Sequence, residues 1–270
     1  MNPRPQFILD RVAKQAACSY RELADLLKVS TMTIRRDVEL LARRGAVIKT
    51  LRGIRPAPEP SSAMLYETTL FSRMNAQVGE KRAIAETAAG LIGSRQTLYL
   101  DGSTTCLELA KVIARRCRGL TVVTNSALVC LKLGESGRNT ALAIGGQYDP
   151  ASASFTGPAA EEAARKYFVD LAFFSTKGFR VREGTFESSM PTFRIKQIIA
   201  RQCADLILLA DHTKFGQRAL SKVLDISQIH GIVTDKAAPQ ADLAVLKRMK
   251  KKVWIAGGKS GAKGFAPSRR

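Results

Sequence analysis

The sequence is short of acid. Among its 270 residues, 23 are Asp or Glu against 43 Lys or Arg, a formal net charge of +20. That imbalance points to a polyanion or a small anionic ligand as the partner. Aromatic residues make up only 6%, too few for the stacking platforms that hold single-stranded nucleic acid. No apolar run approaches the roughly 18 residues that a membrane-spanning helix needs. The first residues, MNPRPQFILDRVAKQ, lack the apolar stretch and small-residue cleavage site of a secretory signal. Histidine occurs twice, at His212 and His230, which argues against a histidine-built metal site. The five cysteines (Cys18, Cys106, Cys117, Cys130 and Cys203) are odd in number and contain no CxxC pair. They exclude a disulfide scaffold and a cysteine zinc module, and they fit a reducing cytoplasm. No metal and no cofactor is expected.

Hydrophobic content is 45%, ample for a packed core, and the length allows one large domain or two ordinary ones. The charge is unevenly spread. Residues 1–60 carry a net +6, residues 61–245 a net +5, and residues 246–270 a net +9. The last stretch, glycine-rich and ending GGKSGAKGFAPSRR, reads as a final strand over Val253 to Ala256 followed by a disordered basic tail at 257–270.

The N-terminal third reads as three helices. Pro5 to Ala16 forms the first, with Phe7, Ile8 and Val12 on one face. Ser19 and Glu22 have capping-box spacing and start a short second helix, ending near Lys28, with Leu23, Leu26 and Leu27 inward. After the turn at Val29-Ser30, Ser30 caps a third helix from Thr31 to about Arg44, stopped by Gly45. Ile34, Val38 and Leu41 give it a buried seam at i, i+4 and i+7. Two helices joined this way form a helix-turn-helix, whose second helix enters the major groove by its N-terminal residues. Ser30, Thr31, Thr33, Arg35 and Arg36 occupy that stretch, with hydroxyls, methyls and guanidiniums suited to base edges and phosphates. Residues 46–55 alternate weakly and turn at Gly53, as a two-stranded wing does; Lys49 and Arg52 would flank phosphates there, with Arg55 beside them.

The spelling Arg21-Glu22-Leu23-Ala24, Val29-Ser30, Thr33-Ile34-Arg35-Arg36-Asp37-Val38, Leu41 and Gly45 resembles the winged helix of the DeoR family (DeoR/GlpR type) of bacterial transcription regulators of sugar metabolism. Where that family usually ends its wing in His-Gly-Gly-Ala, this chain has Leu51-Arg52-Gly53-Ile54. Three prolines between Pro56 and Pro60 then mark a linker. The domain plan is a DNA-binding domain at 1–57, a linker at 58–64, a sensing and oligomerisation domain at 65–256 and the tail at 257–270.

Past the linker, residues 65–95 read as helix, and strands then alternate with helices, which predicts a parallel α/β sheet covered on both faces. The strands are expected at Thr97–Leu100, Leu120–Thr124, Thr140–Ile144, Asp170–Phe174, Leu206–Ala210 and Ile229–Thr234. Their C-terminal ends carry Asp101-Gly102-Ser103-Thr104-Thr105, Asn125, Gly145-Gly146, Lys177-Gly178, and Asp211 with Lys214. In open α/β sheets the ligand crevice lies at these ends. Gly, Ser and Thr at a helix start offer amides, hydroxyls and the positive helix end to a phosphate. Lys177 or Lys214 would add countercharge, and Asp101, Asn125 and Asp211 would accept sugar hydroxyls. These residues also resemble the DeoR sensor domain, together with Lys81, Ile84-Ala85, Gly157-Pro158-Ala159, Glu187, Ser188, Lys196 and Thr234-Asp235. The resemblance implies a fold similar to ribose-5-phosphate isomerase. It also implies a cytoplasmic regulator, nucleoid-associated on DNA, whose partners are double-stranded operator DNA, a phosphorylated sugar and further copies of itself as a dimer or tetramer. Repression of a sugar-catabolism operon is the leading reading. A sugar-phosphate isomerase-like enzyme with an accessory DNA-binding domain is the alternative, although no residue here marks a general base.

Overall fold

The computed structural model describes residues 4–15, 17–43, 47–50, 52–56 and 70–257. These divide into two compact units, one holding the residues up to 56 with 71–76, the other residue 70 with 77–257. The expected linker at 58–64 and the tail after 257 lie outside the described residues, as do Gly45 and the start of the helix expected from 65.

In the N-terminal unit, α1 (Arg4–Gln15), β1 (Cys18–Ser19), α2 (Tyr20–Leu27), α3 (Thr31–Arg43), β2 (Val47–Lys49) and β3 (Gly53–Pro56) follow in order. Ser19 and Glu22 form the expected capping box, and α2 ends at Lys28, whose φ of 51° is left-handed. The three short strands form an antiparallel sheet in the order β1-β3-β2. Ile8, Val12, Leu23, Ile34, Val38, Leu41, Val47 and Ile54 make its core. Two sequence expectations are corrected. Phe7 is 42% and Leu26 46% exposed, while Tyr20 and Ala24 are buried instead. The inward arc of each short helix is narrower than its apolar composition, so neighbours one residue off the seam face water.

The single helix expected over 65–95 is, within the described residues, two helices: α4 (Leu70–Asn75) and α5 (Val78–Ala89). Gln77 breaks them apart with a left-handed φ of 50°.

The larger unit is built on β4 (Thr97–Leu100), β5 (Thr121–Thr124), β6 (Thr140–Ala143), β9 (Val169–Phe174), β12 (Cys203–Leu209), β14 (Gly231–Thr234) and β15 (Lys252–Ile255). They form one parallel sheet in the order β15-β14-β12-β9-β4-β5-β6. Its strands are apolar almost throughout because both faces are covered. The first face packs Leu98, Leu100, Val122, Leu209 and Val233 under α5, α6 (Thr104–Arg116) and α7 (Ala127–Gly134). The second packs Tyr99, Phe174, Leu208 and Ile232 under α8 (Pro158–Ala164), α9 (Met190–Ala200) and α10 (Gln240–Arg248). Each fully buried Leu, Ile or Phe here contributes about 1.5–3 kcal/mol. Two additions were not evident in the sequence: a hairpin of β7 (Gln147–Asp149) and β8 (Ser154–Thr156), and an antiparallel sheet β10-β11-β13 from Gly178–Arg180, Gly184–Glu187 and Ser221–Asp225. Both sit beside the C-terminal ends of the main strands. The helix expected from Leu107 starts earlier, at Thr104, because Ser103 caps it.

Candidate functional site

The outward face of α3 is charged and hydroxylated, as the sequence predicted. Thr31, Arg35 and Arg36 are exposed. Ser30 caps the helix: its Oγ accepts the Thr33 amide at 3.1 Å and lies 3.0 Å from the Thr33 hydroxyl. Ser30 and Thr33 therefore hold the helix start. The Arg35 guanidinium lies 4.7 Å from the centre of the Tyr20 ring, which restricts its rotamers by a cation–π contact. An ion pair from Arg4 to Asp37 at 3.0 Å braces α1 against α3. The wing returns through a tight turn in which Thr50 N–H donates to the Gly53 carbonyl at 2.9 Å and Gly53 N–H to Thr50 Oγ1 at 3.1 Å. Lys49 is exposed and pairs with Glu39 of α3 at 2.5 Å. Arg52 is exposed at the turn, its carbonyl accepting from Tyr20 N–H at 3.2 Å.

In the larger unit the strand ends gather a buried polar cluster. Asp101, 1% exposed, follows β4. Its Oδ1 accepts Ser103 N–H at 2.9 Å and its Oδ2 accepts Ser175 N–H at 2.9 Å. Lys196 of α9 brings its Nζ within 3.1 Å of the same carboxylate, pairs with Glu187 and donates to the Ser175 carbonyl at 2.7 Å. Lys196 faces opposed influences: burial lowers its pKa, but the Glu187 and Asp101 carboxylates raise it more, so it stays charged. For Asp101, burial pushes upward, while Lys196 and the bonds from Ser103 and Ser175 hold the carboxyl below its usual range. Beyond this cluster Thr104 and Thr105 open α6, in the first turn that Ser103 caps.

The twelve sequence-derived positions fall into three groups. Asp101 and Asn125 are used by the protein itself. Asn125 accepts from Tyr99 Oη at 2.8 Å and donates to the Phe155 carbonyl at 3.0 Å. Both therefore position neighbouring loops through bonds within the protein. Gly102, Gly146 and Gly178 are spacers. A Cβ on Gly102 would lie 2.2 Å from Ser154 Oγ, one on Gly146 2.7 Å from the Thr156 carbonyl, and one on Gly178 2.6 Å from the Gln217 carbonyl. These contacts draw the β7–β8 hairpin and the 211–218 loop onto the strand ends. The remaining positions, Ser103, Thr104, Thr105, Gly145, Lys177, Asp211 and Lys214, line those ends. Asp211 caps the short turn His212–Lys214 through Oδ1, leaving its buried Oδ2 without a hydrogen-bond partner, 3.9 Å from Lys214 Nζ.

Lys196, Glu187 and Ser175 were not among the predicted site residues. A signal was present: Lys196 is a lone cation between Ile195 and Ile199, both fully buried. His212 was also missed; its Nδ1 lies 3.1 Å from Asp235 Oδ1.

Comparison with known proteins agrees with this architecture. Residues 4–57 match the DeoR-like helix-turn-helix domain and residues 76–236 the DeoR C-terminal sensor domain. The chain is 34% identical over 250 residues to the HTH-type transcriptional regulator YgbI of Escherichia coli, covering 91% of this chain and 94% of that one. It is 30% identical over 250 residues to YulB of Bacillus subtilis, covering 93% and 95%. The transcriptional repressor AccR of Agrobacterium fabrum is 28% identical over 87% of this chain and 89% of its own. Among solved structures, ribose 5-phosphate isomerase A from Neisseria gonorrhoeae aligns with a TM-score of 0.38 at 12% identity, over 51% of this chain and 53% of that one. No described helix is long and apolar enough to cross a membrane. Relatives that span almost the whole chain are named for regulating transcription, a role without catalysis. With a helix-turn-helix presenting Thr31, Arg35 and Arg36, an α/β unit with a buried polar cluster at its strand ends, and family models matching both parts, this chain belongs to the DeoR family of transcription regulators.

Proposed function

We propose that the protein is a repressor of a sugar-catabolism operon, acting in the cytoplasm and at the nucleoid when bound to DNA. The α3 helix and the wing hold a double-stranded operator, and a phosphorylated sugar at the strand ends of the larger unit releases it. The proposed modules are residues 1–57 for DNA, 58–64 as linker, 65–256 for sensing and assembly, and 257–270 as a basic tail. The observation that carries the reading is the division of labour around Asp101. Its carboxylate ties the loop before α6 to Lys196, holding the Thr104 and Thr105 amides at a helix start that attracts phosphate. Lys177 and Lys214 supply countercharge, and Asp211 Oδ2, buried without a donor, accepts a sugar hydroxyl. Release requires two states with different affinities for the effector. Two-fold half-sites require at least a dimer, built through the larger unit as a dimer or tetramer.

An operator selected from random duplexes gives the test. Arg35→Ala combined with Arg36→Ala is expected to weaken its binding by at least about tenfold, measured by fluorescence anisotropy. A panel of sugar phosphates is expected to include one that releases the duplex and raises the melting temperature by mass action. Unchanged operator affinity in the double variant, or no release by any member of the panel, overturns the reading.

A further inference from the structure

The buried seam of α3 is Ile34, Val38 and Leu41. At 3.6 residues per turn, Met32 lies about 160° from Ile34 in one direction and Arg36 about 160° in the other. The two side chains therefore flank the ridge that points straight away from the core, in the first turns of the helix. Met32 is 66% exposed, more than any other large hydrophobic side chain among the described residues of this unit; Leu40, next, is 51% exposed. Three of the polar side chains around it are engaged within the unit, while Thr31 stays exposed beside it. The Ser30 and Thr33 hydroxyls bond each other at the cap, and Arg35 is laid over Tyr20. The leading edge of the helix thus presents a flexible thioether together with the exposed Thr31 and the outward Arg36 guanidinium.

A major groove offers one apolar feature to such a side chain, the 5-methyl group of thymine. An unbranched, polarisable methionine adapts well to an isolated methyl. We infer that Met32 is a base-reading residue that packs on a thymine 5-methyl group in each half-site, adjacent to the position contacted by Arg36. The inference rests on the operator-binding reading above and adds a determinant that is apolar instead of hydrogen-bonded.

The test uses the full chain. An operator is first selected from a random duplex pool, and each thymine is then replaced singly by uracil, which removes the methyl group and leaves every hydrogen-bonding group in place. With the wild type, uracil at one position per half-site is expected to weaken binding about three- to tenfold. Met32→Ala is expected to bind the unmodified operator more weakly by a similar factor and to be indifferent to uracil at that position. Its melting temperature should stay at the wild-type value, because Met32 lies outside the core. If no thymine is sensitive, or if Met32→Ala keeps the same sensitivity at the same position, the assignment is wrong. If no sequence is enriched at all, the operator reading falls, and the assignment falls with it.

Discussion

Lys196→Met is expected to lower the unfolding free energy of the sensor unit by about 3–5 kcal/mol, the cost of removing one partner from a buried ion cluster. In a unit of this size that corresponds to a melting temperature lower by roughly 10 °C. Methionine matches the length of the lysine stem, so the change isolates the charge. Asp101 is 1% exposed and would keep its bonds from Ser103, Ser175 and Cys106 but no cation, and Glu187 would lose its cation. Glu187→Gln should cost less, because Lys196 keeps Asp101 and the Ser175 carbonyl.

The pH dependence separates charge from packing. The Asp101 carboxyl is held below its ordinary value of 3.8. Its contribution is therefore fully present above that value and is lost as the pH falls through the lowered one. The Lys196 pKa is raised above its ordinary 10.5, so its contribution is present below that value and is lost only as the pH rises through the raised one. Wild-type protein thus keeps both contributions across neutral pH. In the variant Asp101, buried without its cation, favours its protonated form, so acid relieves the defect. Urea midpoints at descending pH from 7 towards 4 should show the gap to wild type narrowing. A gap that stays constant would mean that the loss is one of packing.

Gly53→Val is expected to abolish operator binding while leaving effector binding in place. A Cβ at residue 53 would lie 2.0 Å from the Cys18 carbonyl oxygen and 2.7 Å from Ser19 Cα. Both are backbone atoms of the paired strand, where Ser19 faces Gly53 directly. They cannot rotate away as a side chain can, so the strands must part. Overpacking costs about 1–3 kcal/mol where side chains yield, and more where they do not. A unit of some 55 residues has little stability to lose. Parting the strands also removes the bond from Tyr20 N–H to the Arg52 carbonyl and disturbs the ring on which Arg35 rests. The measurements are anisotropy on the selected operator and thermal shift with the releasing sugar phosphate. Retained operator affinity would show that the wing is dispensable; loss of both activities would show that the two units do not fold independently.

Much of this molecule was legible in the sequence. The Ser19–Glu22 box, the Ser30 cap and the seam of Ile34, Val38 and Leu41 define the helix-turn-helix because their bonds close within three or four residues. Strand ends such as Asp101-Gly102-Ser103 were legible for the same reason: a run of apolar residues stops where a cap begins. Phe7 and Leu26 were misjudged because apolar character marks a helix face only to within one residue, and the neighbouring elements decide which edge of that face is covered. The break at Gln77 escaped because nothing in a run of good helix formers announces a left-handed residue.

The sequence by itself determined the two modules, the reading helix and the parallel sheet with its polar strand ends, since these follow from local periodicity and capping. Only the tertiary structure decided which of those polar groups remain available. Lys196 meets Asp101 across 95 positions of chain, Tyr99 meets Asn125 from the neighbouring strand, and Gly53 touches Cys18 across the sheet. Such contacts depend on register and packing between distant segments. A carboxylate or amide at a strand end therefore also carries bonds to the protein's own backbone and side chains that the sequence does not announce.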